Sequence, residues 1–418
     1  MEIKHLFSIF DKNQFMKKGS IFLLIVLFSN FSFTQSLMRI IDKGDSEKFK
    51  IYIDKGENLD EYILFEGGKH TYNNEDLLIH PMVYAAELGQ FEIVKLCVKN
   101  KDKIEDFHNI MSKAFVASLD SGNDDLISYL FNLNPNVNEF CGTCYSRNAI
   151  MITAVNGLDK WYFKIKPNAD LNQIDEVGYT LLHLAVLSSN TAIINDVLSM
   201  PNINLNAKDS FHKTALNLAV IDSSESTYFT LLKKGSQILD TNDFFSDITI
   251  GGNSIIFNDF IKKIPNPNLW QNHKYMDYTD EEATYPLENA ILSNNNTISF
   301  WILDQMISEL KTNKSEEKIK ILYSILNGYD YAGLKDYISV TTAIENNNKP
   351  LFEKLLKTAL WFNEQKFSAL YVDEFEYDEF EYDVDLEVYF SKFDYKDAKK
   401  MFGKEYVELF YEDLGIEF

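Results

Sequence analysis

The chain has 418 residues, enough for two or three ordinary domains or for one elongated repeat array. Its 45% hydrophobic and 25% charged residues exclude wholesale disorder, and 17 Gly with 8 Pro are too few for a turn-rich β-sandwich or a collagen-like chain. A net charge of −23 repels nucleic-acid phosphates and anionic headgroups, which sets nucleic-acid binding aside and favours basic partners or plain solubility.

Residues 1–34 read as a secretory signal. Met16-Lys17-Lys18 precedes the apolar block 21–28 (IFLLIVLF), and Ser32 and Thr34 supply the small residues expected before a cleavage point. The block is short for a bilayer-spanning helix, which needs roughly 20 apolar residues. No Cys follows it to carry a lipid anchor. Met16 is a plausible start. Cleavage predicts an exported chain, periplasmic or secreted, with no membrane insertion afterwards. The alternatives are an uncleaved inner-membrane anchor and a buried helix. Without residues 1–34 the chain keeps 36 Lys and Arg against 61 Asp and Glu, a net charge of −25.

From residue 36 to about 365 the text repeats. His80-Pro81-Met82-Val83-Tyr84-Ala85-Ala86-Glu87-Leu88-Gly89 is followed by Ile93-Val94 and Leu96-Cys97-Val98. Gly178-Tyr179-Thr180-Leu181-Leu182-His183-Leu184-Ala185-Val186 is followed by Ile193-Ile194 and Val197-Leu198. With the first small residue of each unit as anchor, nine anchors fit: Ile40, Ala85, Ser118, Thr153, Ala185, Ala219, Ile248, Ala290 and Ala343. Four positions later stand Gly44, Gly89, Gly122, Gly157, Ser189, Ser223, Gly252, Asn294 and Asn347. Gly and Asn tolerate the left-handed backbone that closes a helix, and Ser partly substitutes for them. Apolar residues are expected eight, nine, twelve and thirteen positions after the anchor, on one face of a second helix. Leu126-Ile127 with Leu130-Phe131, Ile256-Phe257 with Phe260-Ile261, and Leu351-Phe352 with Leu355-Leu356 illustrate the pattern. Anchor spacings are 45, 33, 35, 32, 34, 29, 42 and 53, so the outer units need insertions. Residues 61–79 and 265–284 read as two of these.

This text resembles the ankyrin repeat, whose signature is G-x-T-P-L-H-x-A-A-x-x-G followed by I-V-x-x-L-L. Two adjacent T-x-L-(H/N)-x-A-V units at Thr180 and Thr214 carry it best. Pro at the motif position stands only at Pro81 and Pro286, and His212 replaces the turn Gly. The resemblance implies an all-α solenoid of about seven to nine divergent helix-turn-helix repeats, capped by an acidic, aromatic-rich C-terminal segment, 366–418. It also implies that His183 is structural, its ring bonding backbone at the turn. Binding in that family uses finger loops and the exposed face of the first helix. Carried over position by position, the partner-binding residues are Glu176, Val177, Tyr179, Leu187 and Ser188, then Ser210, Phe211, Lys213, Ile221 and Asp222.

Chemistry-bearing motifs are sparse. HExxH, GxSxG, Walker-type loops, GxGxxG and EF-hand loops do not occur, and no metal site, cofactor or catalytic residue is expected. Cys141-Gly142-Thr143-Cys144 fits a disulfide, two free thiols, or redox or metal use, and Cys97 falls on a second-helix core position. In the last 48 residues 16 acids, 5 lysines and 14 Phe and Tyr alternate, with Glu374-Phe375-Glu376-Tyr377-Asp378 duplicated at once as residues 379–383. That segment reads as a solvated face, as an interaction strip for a basic partner, or as a cation site. The expected function is therefore protein–protein interaction, including inhibition or immunity-type binding of a basic partner. An enzymatic or metal-dependent activity of the C-terminal segment is the alternative.

Overall fold

The computed structural model describes residues 36–65, 77–140, 146–270, 273–274, 283–327, 342–343, 346 and 348–365. The signal-like residues 1–34, the Cys141/Cys144 pair, Asn347 and the acidic segment 366–418 lie outside them. The described residues are mostly helical, with 18 helices. They divide into two compact units, residues 1–203 with 208–210, and residues 204–207 with 211–418.

In the first unit the helices come in pairs: α1 (36–42) and α2 (Ser46–Asp54), α3 (Pro81–Glu87) and α4 (Phe91–Lys99), α5 (Phe107–Ser121) and α6 (Asp124–Phe131), α7 (Ala149–Val155) and α8 (Asp159–Ile165), α9 (Leu181–Leu187) and α10 (Thr191–Val197). Apart from the 15-residue α5, the first helices have seven residues, too few to stand alone in water, so packing must hold them. Helix α3 packs on α5, α5 on α7 and α7 on α9. The anchors sit at these contacts, with Ala85, Ser118, Thr153 and Ala185 fully buried. A larger side chain there would separate the helices. From the second pair on, the second helices bury the positions eight, nine and twelve after the anchor, as with Ile93, Val94 and Cys97 or Ile193, Ile194 and Val197, whereas in the first pair Lys48 takes the first of these positions and stays exposed. Each such aliphatic side chain contributes about 1.5–3 kcal/mol on burial.

The second unit repeats the arrangement with α11 (Ala215–Ile221) and α12 (Glu225–Lys234), α13 (Thr241–Gly251) and α14 (Ser254–Lys263), α15 (Pro286–Leu292) and α16 (Asn296–Thr312). Then come α17 (Glu316–Asn327) and α18 (Lys349–Glu364). Helix α11 packs on α13 and α13 on α15, while α16 packs on α18.

Local caps set the helix starts. Thr180 and Thr214 accept from the third backbone N–H of α9 and α11, while His80 Nδ1 accepts from Met82 N at 3.1 Å. Each first helix closes at the residue four after the anchor. Gly44, Gly89, Gly122, Gly157, Ser189, Ser223, Gly252 and Asn294 all have φ between 54° and 69°. The following residue is often Asn, and it does two things. Asn123, Asn190, Asn253 and Asn295 accept backbone N–H bonds at the start of their own second helix. Their Nδ2 atoms donate back to the carbonyls of Gly89, Gly157, Ser223 and Gly252, the closing residues of the preceding pair.

Two short antiparallel hairpins interrupt the pairs. Strands β1 (Ile63–Phe65) and β2 (Leu77–Ile79) pair with Leu64 opposite Leu78. Strands β3 (His273–Lys274) and β4 (Ala283–Thr284) pair with His273 opposite Thr284. Both lie within the stretches 61–79 and 265–284 that the spacing marks as insertions.

Candidate functional site

The loop entering α9 is built around a buried carboxylate. Asp175 accepts from Val177 N at 3.0 Å, Tyr179 N at 2.8 Å and Arg147 Nε at 2.8 Å. Gly178, at φ 83°, turns the loop, and a Cβ there would come within 3.1 Å of Ser210 N. This folding leaves Glu176 exposed, where its carboxylate accepts from Ser146 Oγ. Tyr179 is half-buried, stacked on His183 with centroids 5.7 Å apart. Leu187 keeps 38% exposure at the end of α9, and Ser210 is exposed while its N–H donates to Val177 O at 2.9 Å.

His183 is fully buried. Its Nδ1 lies 3.1 Å from Thr180 N and 2.8 Å from Thr180 Oγ1, so the ring closes the cap at the start of α9. The geometry is that of a structural histidine. Cys97 is buried on α4, and burial pushes its thiol up to about 12, well away from thiolate chemistry.

In the second unit Phe211 is half-buried and His212 takes the turn with φ 63°. Lys213 is a different matter. Its Nζ sits 2.7 Å from Asp243 Oδ1 and 2.7 Å from Asp247 Oδ1, and Asn217 Nδ2 donates to Asp247 Oδ2 at 2.6 Å. Burial opposes the charge on Lys213, yet the two carboxylates hold its pKa above the ordinary value. Burial pushes Asp247 up to about 7 against the pull of Lys213 and Asn217. This network joins the start of α11 to α13.

Two of the expected contact residues therefore need correction. Val177 is 4% exposed and Lys213 is 5% exposed, so neither can touch a partner. Val177 is turned in because Asp175 gathers the loop around itself, and Lys213 because two carboxylates on α13 hold it there. Glu176, Tyr179, Leu187 and Ser210 lie in the first unit and Phe211 in the second. Of the neighbouring positions, Ser188 and Ile221 are half-buried and Asp222 is exposed. Sequence reasoning missed Arg147–Asp175 and Lys213–Asp243–Asp247. Arg147 and Lys213 both stand six residues before an anchor, 28 to 34 residues ahead of the acids they meet, but that shared offset alone does not say which acid each will reach.

Among the described residues no group of three or more His, Cys, Asp or Glu could hold a metal ion. None of their helices is long and apolar enough to cross a membrane. Neither the family models nor the curated proteins compared with this chain give a match.

Proposed function

We propose that this chain is an exported ankyrin-type stack of helix pairs whose finger loops and first-helix ends bind a protein with a basic surface. The observation that carries the reading is the constant register of the pairs. The anchor, small in six pairs and Ile at residues 40 and 248, is followed four residues later by a left-handed closing residue in eight successive pairs, although the spacing between anchors ranges from 29 to 45 residues over them. Pairs of this kind bury an apolar face only against their neighbours, and stacking leaves loops and helix ends exposed in series. The side chains presented there, among them Glu176, Tyr179, Leu187 and Phe211, suit contact with a macromolecule. The net charge of −23 supports a basic partner.

Export and partner binding are tested together. The tagged chain is purified from the extracytoplasmic fraction of its source, its N-terminus is measured by mass spectrometry, and co-purifying proteins are compared with those of a Tyr179→Ala, Phe211→Ala variant. A mature chain beginning near residue 35 and loss of a basic co-purifying protein in the variant are expected. An intact Met1 or Met16 start rules out signal cleavage, and undiminished recovery rules out Tyr179 and Phe211 as partner contacts. Removal of residues 366–418 should leave partner recovery intact if the helix pairs carry the binding.

A further inference from the structure

The residue two positions after each anchor lies at or next to the end of a first helix, and its chemistry changes along the first unit. Asp42, Glu87 and Asp120 fill it in the first three pairs, Val155 and Leu187 in the next two. Asp42 and Asp120 are exposed, Glu87 and Val155 half-buried, and Leu187 keeps 38% exposure. They stand on neighbouring helices. Tyr84 on α3 donates to Asp42 Oδ1, Asn156 after α7 donates to Asp120 Oδ1 at 2.7 Å, and α3, α5, α7 and α9 pack in succession. At about 8–10 Å between packed helices, five such positions make a row of about 32–40 Å.

A single exposed leucine needs no explanation, and a few surface carboxylates are ordinarily a solvated face. Their order is the informative feature. Acids occupy three consecutive positions and aliphatic side chains the next two, so the row has two chemically distinct ends. Leu88, beside Glu87 and 42% exposed, adds an apolar side chain at the acidic end. An aliphatic surface between carboxylates suits the alkyl stem of Lys or Arg, whose charged head reaches past it.

We propose that this row seats a partner segment of two-part chemistry: Lys or Arg side chains over Asp42, Glu87 and Asp120, followed by apolar side chains over Val155 and Leu187. The inference rests on the protein-binding reading and specifies the partner's chemistry. A row of this length matches about eleven residues of extended chain.

The test uses the full chain and two fluorescein-labelled peptides of about twelve residues with identical composition. One carries its Lys and Arg in one half and its Leu and Phe in the other; the second interleaves them. Anisotropy titrations are run on the unaltered chain, on Asp42→Asn with Asp120→Asn, and on Leu187→Ser, each checked by circular dichroism. These variants change exposed side chains, and Asn keeps an acceptor for Tyr84 and Asn156. The block peptide is expected to bind about tenfold more tightly than the interleaved one, a difference of about 1.4 kcal/mol. Both variants should narrow that gap, and the Asp-to-Asn pair should also flatten the salt dependence. Equal affinity for the two peptides, or a gap that neither variant narrows, overturns the two-part row. If the peptides are not distinguished but the same variants lose the co-purifying protein, the row fails and the general binding reading survives. If recovery is also unchanged, both here and in the Tyr179→Ala, Phe211→Ala variant, both readings fail.

Discussion

At the scale of single residues, the asparagine that follows four of the closing turns performs two tasks with one side chain. Asn190 Oδ1 accepts from Ala192 N and Ile193 N, capping α10, while Nδ2 donates to Gly157 O at 3.0 Å. Asn190→Ala removes both and should cost about 1–3 kcal/mol, the sum of a lost cap and a lost hydrogen bond. Asn190→Asp keeps the acceptor but cannot donate, so its urea midpoint should fall between those of the unaltered chain and the Ala variant. Two buried titratable residues predict opposite pH trends. Burial holds His80 down to about 4, below its ordinary 6.5. Its contribution is complete above pH 6.5 and is lost as the pH falls from there toward 4. Asp247 is raised to about 7 from 3.8, so its ionisation destabilises the folded state as pH rises from about 4 to 7, and the effect levels off above that. Unfolding free energies measured from pH 4 to 8 should lose the first slope in His80→Asn and the second in Asp247→Asn.

At the scale of elements, the pairs are held to one another by polar contacts as well as by their apolar faces. Tyr162 OH donates to Asp196 Oδ2 at 2.9 Å, with Lys166 also on that carboxylate, and in the second unit Tyr228 OH donates to Asp259 Oδ2 at 2.7 Å. Arg147 and Asp175 tie α7 to the loop entering α9, with the Asp175 side chain fully buried. Arg147→Ala strips that carboxylate of its cation and should cost about 3–5 kcal/mol; chemical denaturation would register it as a lower midpoint. A milder loss would mean that the two backbone N–H donors suffice. The helix starts, the closing turns and the second-helix core were legible in the sequence because each depends on a residue type at a fixed offset. Ile40 is the weakest of the anchors, half-buried where the others described are fully buried. The polar ties were not legible, because an Arg or Lys in a loop carries no mark of whether an acid about thirty residues on will meet it. For that reason Val177 and Lys213 read as surface and proved buried, while Glu176 and Leu187 read as surface and are exposed.

For the whole molecule, the acidic balance makes association sensitive to ionic strength. If a basic protein is the partner, raising salt from about 0.01 M to 0.15 M shortens the Debye length from about 30 Å to about 8 Å. The association rate should then fall more than the dissociation rate rises. Stopped-flow or biosensor kinetics with the co-purified partner would measure this, and a salt-insensitive association rate would remove electrostatics from the account.

The left-handed closing turns also determine where the chain can change length. From the anchor to the Asn that reaches back lie only five positions, and the bonds to Gly89, Gly157, Ser223 and Gly252 require that count to be kept. Between the end of one second helix and the next first helix no such count applies. Both hairpins occur there, one before α3 and one before α15. Insertions made at those junctions should be absorbed locally, whereas one residue added between an anchor and its Asn would disconnect every bond downstream of that turn within the pair. The count inside a pair is therefore held by these bonds, while the distance from one anchor to the next varies from 29 to 45 residues over the first eight pairs.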